Sequence, residues 1–362
     1  MTQIQTLPAS LAGVVAGIAR CDGRYTAEAK RHLDSLTKPI GSLGRLETVA
    51  AQMFSIFSGN VPLPLRRAVY VFAADHGVTQ EGVSAYPREV TAQMVRNFLA
   101  GGAAINVLAR LHHAELTVVD VGVDAEFEDA PGLSRMKVRR GSRNMLREPA
   151  LTHEELAAAI GSGIRLAEGA RDKGQHLVAV GEMGIGNTTA ASAISAMLTK
   201  RQIAEVTGCG AGLDMVGRNR KLHVIRRSLK RHFGASMETP DPLEILRCVG
   251  GLEIAAMTGF ILSAAANRMA VVCDGFISTA AAAVAHAIEP EVGGYLFAGH
   301  CSEEPGHRHL LRHIGLTPIL NLGMRLGEGT GAVLAMPLIE SSVRLFAEMA
   351  TFSSAGVSAA SA

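Results

Sequence analysis

The stretch His176-Leu-Val-Ala-Val-Gly-Glu-Met-Gly-Ile-Gly-Asn-Thr-Thr189 decides the fold of this chain. An apolar, β-branched run leads into a glycine-rich polar loop, and the loop leads into an apolar helical pattern that extends to Leu198. Hydrophobicity that is continuous rather than alternating is typical of a strand covered on both faces, as in a parallel sheet. The stretch therefore predicts one strand–loop–helix unit of an α/β protein.

The same plan recurs along the chain. Four more β-branched or aromatic runs end in small polar or glycine-containing loops, at residues 68–74, 116–119, 269–273 and 295–298. Because strands that alternate with helices are typical of α/β architecture, the pattern predicts a doubly wound parallel sheet.

The two ends of the chain lack strand signals and have helical patterns instead. We expect residues 1–60 to form the N-terminal helical part of a small domain, and residues 61–330 to form a large α/β catalytic domain. Residues 331–362 should supply a C-terminal helix that completes the small domain, and a frayed tail. Pro337 should kink that helix or mark its start.

The composition excludes several classes of protein. Of 362 residues, 48% are hydrophobic, which is enough for a full α/β core. Lys and Arg number 35 against 33 Asp and Glu, and Trp is absent, so no nucleic-acid-binding surface is expected. Five scattered cysteines without a Cys-x-x-Cys pair indicate a reduced, cytoplasmic protein. No secretory signal is predicted, and the apolar segment 254–266 is too short to cross a membrane, so we interpret it as a buried helix.

Polar residues follow the predicted strands. In open parallel sheets a ligand lies beyond the carboxyl ends of the strands, where the loops converge. We therefore expect one cleft lined by Asp75, Glu182, Asn187, Thr188, Asp274, Ser302 and Glu328.

Glu328 stands in the glycine-rich stretch Leu322-Gly-Met-Arg-Leu-Gly-Glu-Gly-Thr-Gly-Ala332. Glycines remove side-chain bulk around this acid and permit turns with positive φ, so a flat ligand could approach the carboxylate closely. The alternative is a solvated loop acid at a helix N-terminus, where an acidic residue is favoured in any case.

Two glycine-rich loops are candidate phosphate sites. The loop with Gly184, Gly186, Asn187 and Thr188 opens a helix, and free backbone N–H groups there suit a phosphate. It lacks the third glycine of a dinucleotide fingerprint and the Gly-Lys-Ser/Thr of a Walker loop. The alternative is a tight turn capped by Asn or Thr.

The second loop, residues 207–212, contains Gly210 and is followed by Lys221, whose ammonium group could bind a phosphate. The neighbouring Arg218 and Arg220 are better interpreted as a solvated basic face.

Four histidines, His300, His307, His309 and His313, lie close together in the sequence. They form one His-x-His pair and no zinc-protease pattern, so we interpret them as surface groups or hydrogen-bond partners and predict no metal site.

With these segments assembled, the chain resembles the nicotinate-nucleotide–dimethylbenzimidazole phosphoribosyltransferases, a family of the lower-ligand branch of cobalamin synthesis. Five motifs carry the resemblance in family order, and they span nearly the whole chain. They are Leu36-Thr-Lys-Pro-Ile-Gly-Ser-Leu-Gly-Arg-Leu-Glu47; Ala74-Asp-His-Gly77 with Glu81-Gly-Val-Ser-Ala-Tyr-Pro87; Gly181-Glu-Met-Gly-Ile-Gly-Asn-Thr-Thr189; Gly299-His-Cys-Ser-Glu-Glu-Pro-Gly306; and Leu326-Gly-Glu-Gly-Thr-Gly331.

The resemblance implies a reaction and an architecture. Ribose 5-phosphate would move from nicotinate mononucleotide to 5,6-dimethylbenzimidazole, giving α-ribazole 5′-phosphate and nicotinate with inversion at C1′. It also implies a homodimer, a large Rossmann-like domain and a small helical domain formed from both termini.

The resemblance also implies roles for individual residues. Glu328 corresponds to the general base and Glu182 to a second acid in the site. Ser84 and Gln93 would lie near the benzimidazole. The phosphate would be held by Gly184, Gly210, Lys221 and Ser302, with Gly186, Asn187 and Thr188 on the same nucleotide-binding loop.

The implied chemistry needs neither metal nor redox cofactor. The nicotinate ring of the nucleotide is a quaternary pyridinium and leaves readily, so only the N–H proton of the incoming base must be removed, and one carboxylate suffices. Two other functions stay open. One is a nucleoside-phosphate hydrolase or phosphorylase, and the other is a nucleotide-binding sensor on the same fold. The sequence does not reveal which base is preferred.

Overall fold

A computed structural model describes residues 9–234 and 240–358. The strands are β1 (Arg67–Ala74), β2 (Ala114–Gly122), β3 (Leu133–Arg135), β4 (Leu177–Met183), β5 (Ala270–Cys273), β6 (Leu296–His300) and β7 (Pro318–Leu320). Within the described residues they form a seven-stranded sheet in the order β3-β2-β1-β4-β5-β6-β7, and each neighbouring pair is parallel.

Helices flank the sheet and form both ends of the described part of the chain. They are α1 (Ala9–Ala16), α2 (Gly23–Ser35), α3 (Arg45–Ile56), α4 (Val90–Leu99), α5 (Ala104–Leu111), α6 (His153–Asp172), α7 (Asn187–Thr199), α8 (Ile203–Val206), α9 (Met215–Phe233), α10 (Pro242–Val249), α11 (Leu252–Ala266), α12 (Phe276–Ile288), α13 (Pro305–His313), α14 (Thr330–Glu348) and α15 (Phe352–Ala355). Two 3₁₀ turns lie at Gly77–Glu81 and Pro290–Tyr295.

The predicted α/β sheet is confirmed, and the five apolar runs of the sequence are β1, β2, β4, β5 and β6. The sequence did not predict β3 and β7, which lie at the two edges and contain three residues each. Such short edge strands are held by one neighbour and have too few residues for a hydrophobic pattern.

The segment that we interpreted as a buried helix is α11, which lies in the core. It packs closely on α6 because glycines face the partner helix. A Cβ at Gly163 would lie 1.8 Å from the Ala256 carbonyl oxygen, and one at Gly259 would lie 2.2 Å from that of Ile160. Neither position therefore has room for a side chain.

Helices from the two ends of the chain pack together. The ring of Phe54 on α3 lies 5.1 Å from that of Phe346 on α14, and Leu36 pairs with Thr351 in an antiparallel bridge. Helix α14 continues across Pro337, so Pro337 does not mark its start. It is long and apolar enough to cross a membrane, but more than half of its apolar window is buried in the protein. The domain boundaries stay a prediction.

The strand order reverses at β1. From β1 the chain first adds β2 and β3 on one side and then continues with β4 on the other. The loops that leave β1 and β4 therefore diverge, and in open α/β sheets the crevice between such loops binds the ligand. In the register of these strands Phe72 lies beside Glu182, so the end of β4 opens into this crevice.

Candidate functional site

Glu328 lies in a tight turn immediately before α14. Its φ is +64°, which a residue other than glycine rarely adopts, and its backbone N–H donates to the Glu182 carbonyl oxygen at 3.2 Å. One side-chain oxygen, Oε2, accepts from the Ile105 N–H at 3.2 Å, and only 5% of the residue is exposed. Burial raises the pKa of the Glu328 carboxyl, and repulsion from Asp274 adds to this. Glu328 is therefore a fixed, buried acid rather than the solvated loop acid of the alternative interpretation.

Asp274 holds the turn that carries Glu328. This carboxylate follows β5 and accepts three backbone N–H groups at the start of α14, from Gly329 at 3.1 Å, Gly331 at 2.7 Å and Ala332 at 3.1 Å. N–H groups at a helix N-terminus lack an acceptor within the helix, and a negative charge is favoured there as well. Asp274 therefore lies in the predicted cleft, but its oxygens bind the backbone and it orients Glu328.

Glu182, at the end of β4, lies beside Glu328. A Cβ at Gly327 would lie 2.4 Å from Glu182 Oε1, so this glycine is required for the close approach of the two segments. The Asn187 amide donates to Glu182 Oε2. Burial raises the pKa of Glu182 to about 8, and repulsion from Asp274 and Glu253 contributes. At neutral pH the Glu182 carboxyl is therefore largely protonated.

The glycine-rich loop after β4 opens α7. Gly186 is the N-cap residue, with φ +95° and no side-chain cap bond, so the alternative of a turn capped by Asn187 or Thr188 is wrong. Gly184 packs against β1, since a Cβ there would lie 2.5 Å from the Ala74 carbonyl oxygen. The Asn187 and Thr189 N–H groups donate to the Gly184 and Gly186 carbonyl oxygens at 3.1 and 3.0 Å. A helix N-terminus still favours an anion, because the helix dipole and its remaining first-turn N–H groups face the loop.

Lys221 lies beside this loop. It is fully buried on α9, and its ammonium group donates to Thr188 Oγ1 at 2.7 Å. Burial lowers the pKa of Lys221 to about 8, although the Glu304 carboxylate opposes this. A Cβ at Gly210 would lie 3.3 Å from Lys221 Nζ, so the second glycine loop closes over the same ammonium group. The structure thus brings Thr188, Gly210 and Lys221 together, as a phosphate site requires.

Among the histidines, His307 is a hydrogen-bond partner as predicted, whereas the buried His300 has no hydrogen bond at either ring nitrogen within the described residues. The Ser302 N–H donates to His307 Nδ1 at 2.9 Å, and Nε2 lies 3.0 Å from Thr279 Oγ1, so both ring nitrogens are engaged. Burial lowers the pKa of His307 to about 3. His300 Nδ1 lies 3.7 Å from Asp274. Residues 9–234 and 240–358 contain no cluster of three or more His, Cys, Asp or Glu that could hold a metal ion.

Ser84 and Gln93 stand apart from these groups. Ser84 is half-buried, and its hydroxyl oxygen accepts from the Tyr86 N–H at 3.2 Å. Gln93 is exposed on α4, two residues after Thr91, whose hydroxyl accepts from the Ile185 N–H at 3.1 Å. Helix α4 therefore adjoins the glycine-rich loop, while the part of the chain that the structure describes shows no hydrogen bond from Ser84 or Gln93 to either acid.

Sequence reasoning missed a buried pair behind the loop. His76, which follows β1, lies with Nε2 2.6 Å from Glu253 Oε1, and both side chains are almost completely buried. A Cβ at Gly251 would lie 2.3 Å from the His76 ring, so the pair fills its space completely. The available signal was the Asp-His-Gly sequence after an apolar strand. The partner of its histidine, however, lies 177 residues further along the chain.

A separate groove of about 920 Å³ lies at the opposite end of the sheet. It is lined by α2, α3 and the segments before β6 and β7, including Lys30, Arg45, Gln52 and Thr317. None of the predicted site residues lines it. Although it is spacious, this groove is therefore not the candidate site.

Comparison with known proteins gives an independent result. A family model described as phosphoribosyltransferase matches residues 18–357. The nicotinate-nucleotide–dimethylbenzimidazole phosphoribosyltransferases of Geobacter sulfurreducens and Geobacter metallireducens are 52% and 50% identical to the chain, and each match covers 96% of this chain and 98% of the relative.

Solved structures agree with these relatives. The crystal structure of CobT from Thermus thermophilus superposes with a TM-score of 0.89 at 47% identity, covering 93% of this chain and 100% of that one. A second structure from the same organism, titled as a nicotinate-nucleotide–dimethylbenzimidazole phosphoribosyltransferase, gives 0.88 at 46% identity over 94% of this chain and 100% of that one.

Proposed function

The chain belongs to the nicotinate-nucleotide–dimethylbenzimidazole phosphoribosyltransferase family, and from this premise we propose how its residues perform the transfer. The enzyme moves ribose 5-phosphate from nicotinate mononucleotide to 5,6-dimethylbenzimidazole, with inversion at C1′, and releases nicotinate. One ring nitrogen of the base attacks C1′ as the C1′–pyridinium bond breaks, and the electron pair of that bond neutralises the pyridinium. The N–H proton on the other ring nitrogen must leave.

The observation that carries the proposal is the link between an acid cluster and an ammonium group. Asn187 contacts Glu182 beside Glu328, and the next residue, Thr188, contacts Lys221. Two consecutive residues of one helical turn therefore join the acid cluster of Glu182 and Glu328 to a cation suited to phosphate. A ribose phosphate carries its reacting carbon and its phosphate on the same small ring, which fits this short separation.

Glu328 acts as the general base in this proposal. It is buried, has no Lys or Arg pair within the described ranges 9–234 and 240–358, and burial raises its pKa, so it takes up a proton more readily than an exposed carboxylate. A positioned base contributes roughly 10²–10⁴-fold to the rate. The remainder comes from alignment of two flat rings and a sugar.

Glu182 has a different role, because its pKa is raised to about 8. In its protonated form it donates a hydrogen bond and adds no negative charge beside Glu328. It is therefore a neutral hydrogen-bonding partner beside Glu328. We assign proton removal to Glu328 alone.

The phosphate is held by the first turn of α7 and by the second glycine loop. Gly184, Gly186 and Gly210 leave the backbone bare, and Lys221, bonded to Thr188, supplies the charge. Asn187 and Ser302 are proposed to complete the phosphate contacts. The binding energy of this remote phosphate serves to align C1′ with the incoming base.

Ser84 and Gln93 are proposed to contact the benzimidazole. Gln93 lies on α4, which adjoins the glycine-rich loop through Thr91, and Ser84 lies in the segment that leads into this helix. Both carry polar groups that could contact a flat base. We further propose that the enzyme is a cytoplasmic homodimer.

A product assay tests the function. The protein is incubated with nicotinate mononucleotide and a panel containing 5,6-dimethylbenzimidazole, benzimidazole, adenine and phenol, and products are separated by chromatography. Formation of α-ribazole 5′-phosphate with equimolar nicotinate supports the proposal. Nicotinate release that is independent of any base would identify a hydrolase, and binding without turnover would identify a sensor.

A further inference from the structure

Glu304 is a buried acid to which the mechanism above gives no task. It is the N-cap residue of α13, but its side chain makes no cap bond. Only 7% of the residue is exposed, and within residues 9–234 and 240–358 its Oε2 atom has no hydrogen-bond partner. A buried carboxylate oxygen without a donor is costly, so Glu304 needs an explanation outside the fold of the free protein.

The Glu304 carboxylate lies against the second glycine loop. A Cβ at Gly208 would lie 2.4 Å from Glu304 Oε2, and two residues later Gly210 lies against Lys221 in the same way. Glu304 and Lys221 therefore lie against two glycines of the same loop, Gly208 and Gly210. The Glu304 N–H also donates to Ser302 Oγ at 3.3 Å, which ties this acid to the proposed phosphate site.

The same acid borders the segment that leads to Glu328. The N–H of the neighbouring Glu303 donates to the Met324 carbonyl oxygen at 3.1 Å, and Arg325 donates to the Gly210 carbonyl oxygen at 3.2 Å. The segment before Glu328 thus crosses both the glycine loop and the start of α13. Glu304 therefore borders the proposed phosphate site, and its neighbour Glu303 binds the segment that leads to Glu328.

The chemistry of the nucleotide identifies the missing donor. At neutral pH the phosphate of nicotinate mononucleotide is largely a dianion and the nicotinate carboxyl is ionised, so both only accept hydrogen bonds. The two ribose hydroxyls are its hydrogen-bond donors. The competing explanation is that Glu304 serves only as a counter-charge, since it opposes the lowering of the Lys221 pKa.

We propose that Glu304 accepts a hydrogen bond from a ribose hydroxyl of the bound nucleotide and so selects ribose over deoxyribose. The inference depends on the function proposed above, because that function makes nicotinate mononucleotide the ligand. It adds a specificity-determining residue on the sugar, separate from the proposed phosphate and base contacts.

The test compares three nucleotides on matched variants. Nicotinate mononucleotide and its 2′-deoxy and 3′-deoxy forms are titrated by calorimetry into wild type, Glu304→Leu and Glu304→Gln, without any base present. Wild type should bind the ribonucleotide roughly 10- to 100-fold more tightly than one of the deoxy forms, as expected for a hydrogen bond to a charged group. In Glu304→Leu the ribonucleotide and the deoxy forms should bind equally well, and in Glu304→Gln the difference in affinity should be smaller than in wild type.

Glu303→Gln is the matched control, because Glu303 is the adjacent acid and is exposed; it should keep the wild-type ratio. Equal weakening of all three nucleotides in both Glu304 variants would overturn the proposal and leave the counter-charge explanation. A wild type that does not discriminate would also overturn it. If Glu304→Leu does not fold, the affinities of the isosteric Glu304→Gln for the three nucleotides test the proposal. Because binding is measured without the base, an enzyme that discriminates sugars but transfers nothing to benzimidazole would contradict the proposed function and not this inference.

Discussion

The two ends of the parallel sheet differ in how their polar side chains are satisfied. In the groove at the amino ends of β6 and β7, Gln52 donates to the carbonyl oxygens of Gly294 and Leu296 at 3.1 and 3.0 Å, and Arg45 donates to that of Thr317 at 2.8 Å. At the carboxyl ends, three acids lie close together in the interior: Glu182, Asp274 and Glu328. Among the described residues none of the three pairs with Lys or Arg.

A spacious groove and a cluster of reactive groups therefore lie at opposite ends of the same sheet. The groove is large, but its polar groups serve the packing of α3 on the sheet. The carboxyl end is crowded, and its acids raise one another's pKa values. Buried like charges are costly, and such perturbed groups cluster at functional sites. The buried acids that lack a Lys or Arg partner therefore mark the site better than volume does.

Replacement of Glu328 should have the strongest effect. Glu328→Gln keeps an oxygen that can accept from the Ile105 N–H, so the turn should be preserved while the proton acceptor is lost. We expect kcat to fall by about 10²–10⁴-fold, with the affinity for nicotinate mononucleotide unchanged within about threefold. Steady-state kinetics and calorimetry measure the two quantities.

The groove supplies the control for that comparison. Gln52→Leu removes the two bonds to β6 and its preceding turn, so it should cost about 1 kcal/mol of stability and leave kcat/KM unaltered. A large loss of activity in Gln52→Leu, or a wild-type rate in Glu328→Gln, would contradict the assignment of function to the carboxyl end of the sheet.

Much of this fold could be predicted because the signals are local. Each of the five apolar runs is a buried strand with its own hydrophobic pattern, and Thr152 and Glu155 form the capping box that their spacing suggests. Glu328 could be singled out because the glycines beside it are its sequence neighbours. Its positive φ agrees with the tight turn that they indicate.

The remainder depends on contacts between distant segments. Asp274 has the same sequence signature as Glu182, a polar residue after a strand, yet it caps a helix 55 residues away. The partner of His76 lies 177 residues along the chain. No periodicity encodes such pairs, and a single sequence therefore predicts which acids meet at the sheet end but not which of them are already used by the backbone.

Removal of the Lys221 charge tests the phosphate side of the site. Lys221→Met keeps most of the buried stem but loses the ammonium group that contacts Thr188. The affinity for the nucleotide should fall by roughly tenfold to a hundredfold, because a charge-assisted hydrogen bond contributes about 1.5–3 kcal/mol. Binding of free 5,6-dimethylbenzimidazole should not change. Arg227→Met, at an exposed position of the same helix, is the control, and equal weakening of both ligands would contradict a phosphate role.

The titration of Glu182 predicts a pH dependence of stability. Its pKa is raised from the ordinary 4.5 to about 8, so the folded protein holds a proton that the unfolded chain releases. The free energy of unfolding therefore falls as pH rises from about 5 to about 8. Glu182→Gln has no proton to lose there, and over that interval it should lose about 1–3 kcal/mol less stability than wild type in urea denaturation. The same pH dependence in both proteins would contradict a buried, protonated Glu182, and Glu303→Gln serves as the exposed control.

Exhaustive chelation should have no effect on activity. Of the four clustered histidines, His307 already uses both ring nitrogens, on the Ser302 N–H and Thr279 Oγ1, and a metal would have to displace one of these bonds. The proposed chemistry has a leaving group that is cationic before the reaction begins, so it needs no Lewis acid to expel it. Dialysis against a strong chelator, followed by the product assay with 5,6-dimethylbenzimidazole, should give the untreated rate, and metal analysis of the purified protein should find no stoichiometric transition metal. Loss of activity that is restored by zinc would instead indicate a metal-dependent reaction at the carboxyl end of the sheet.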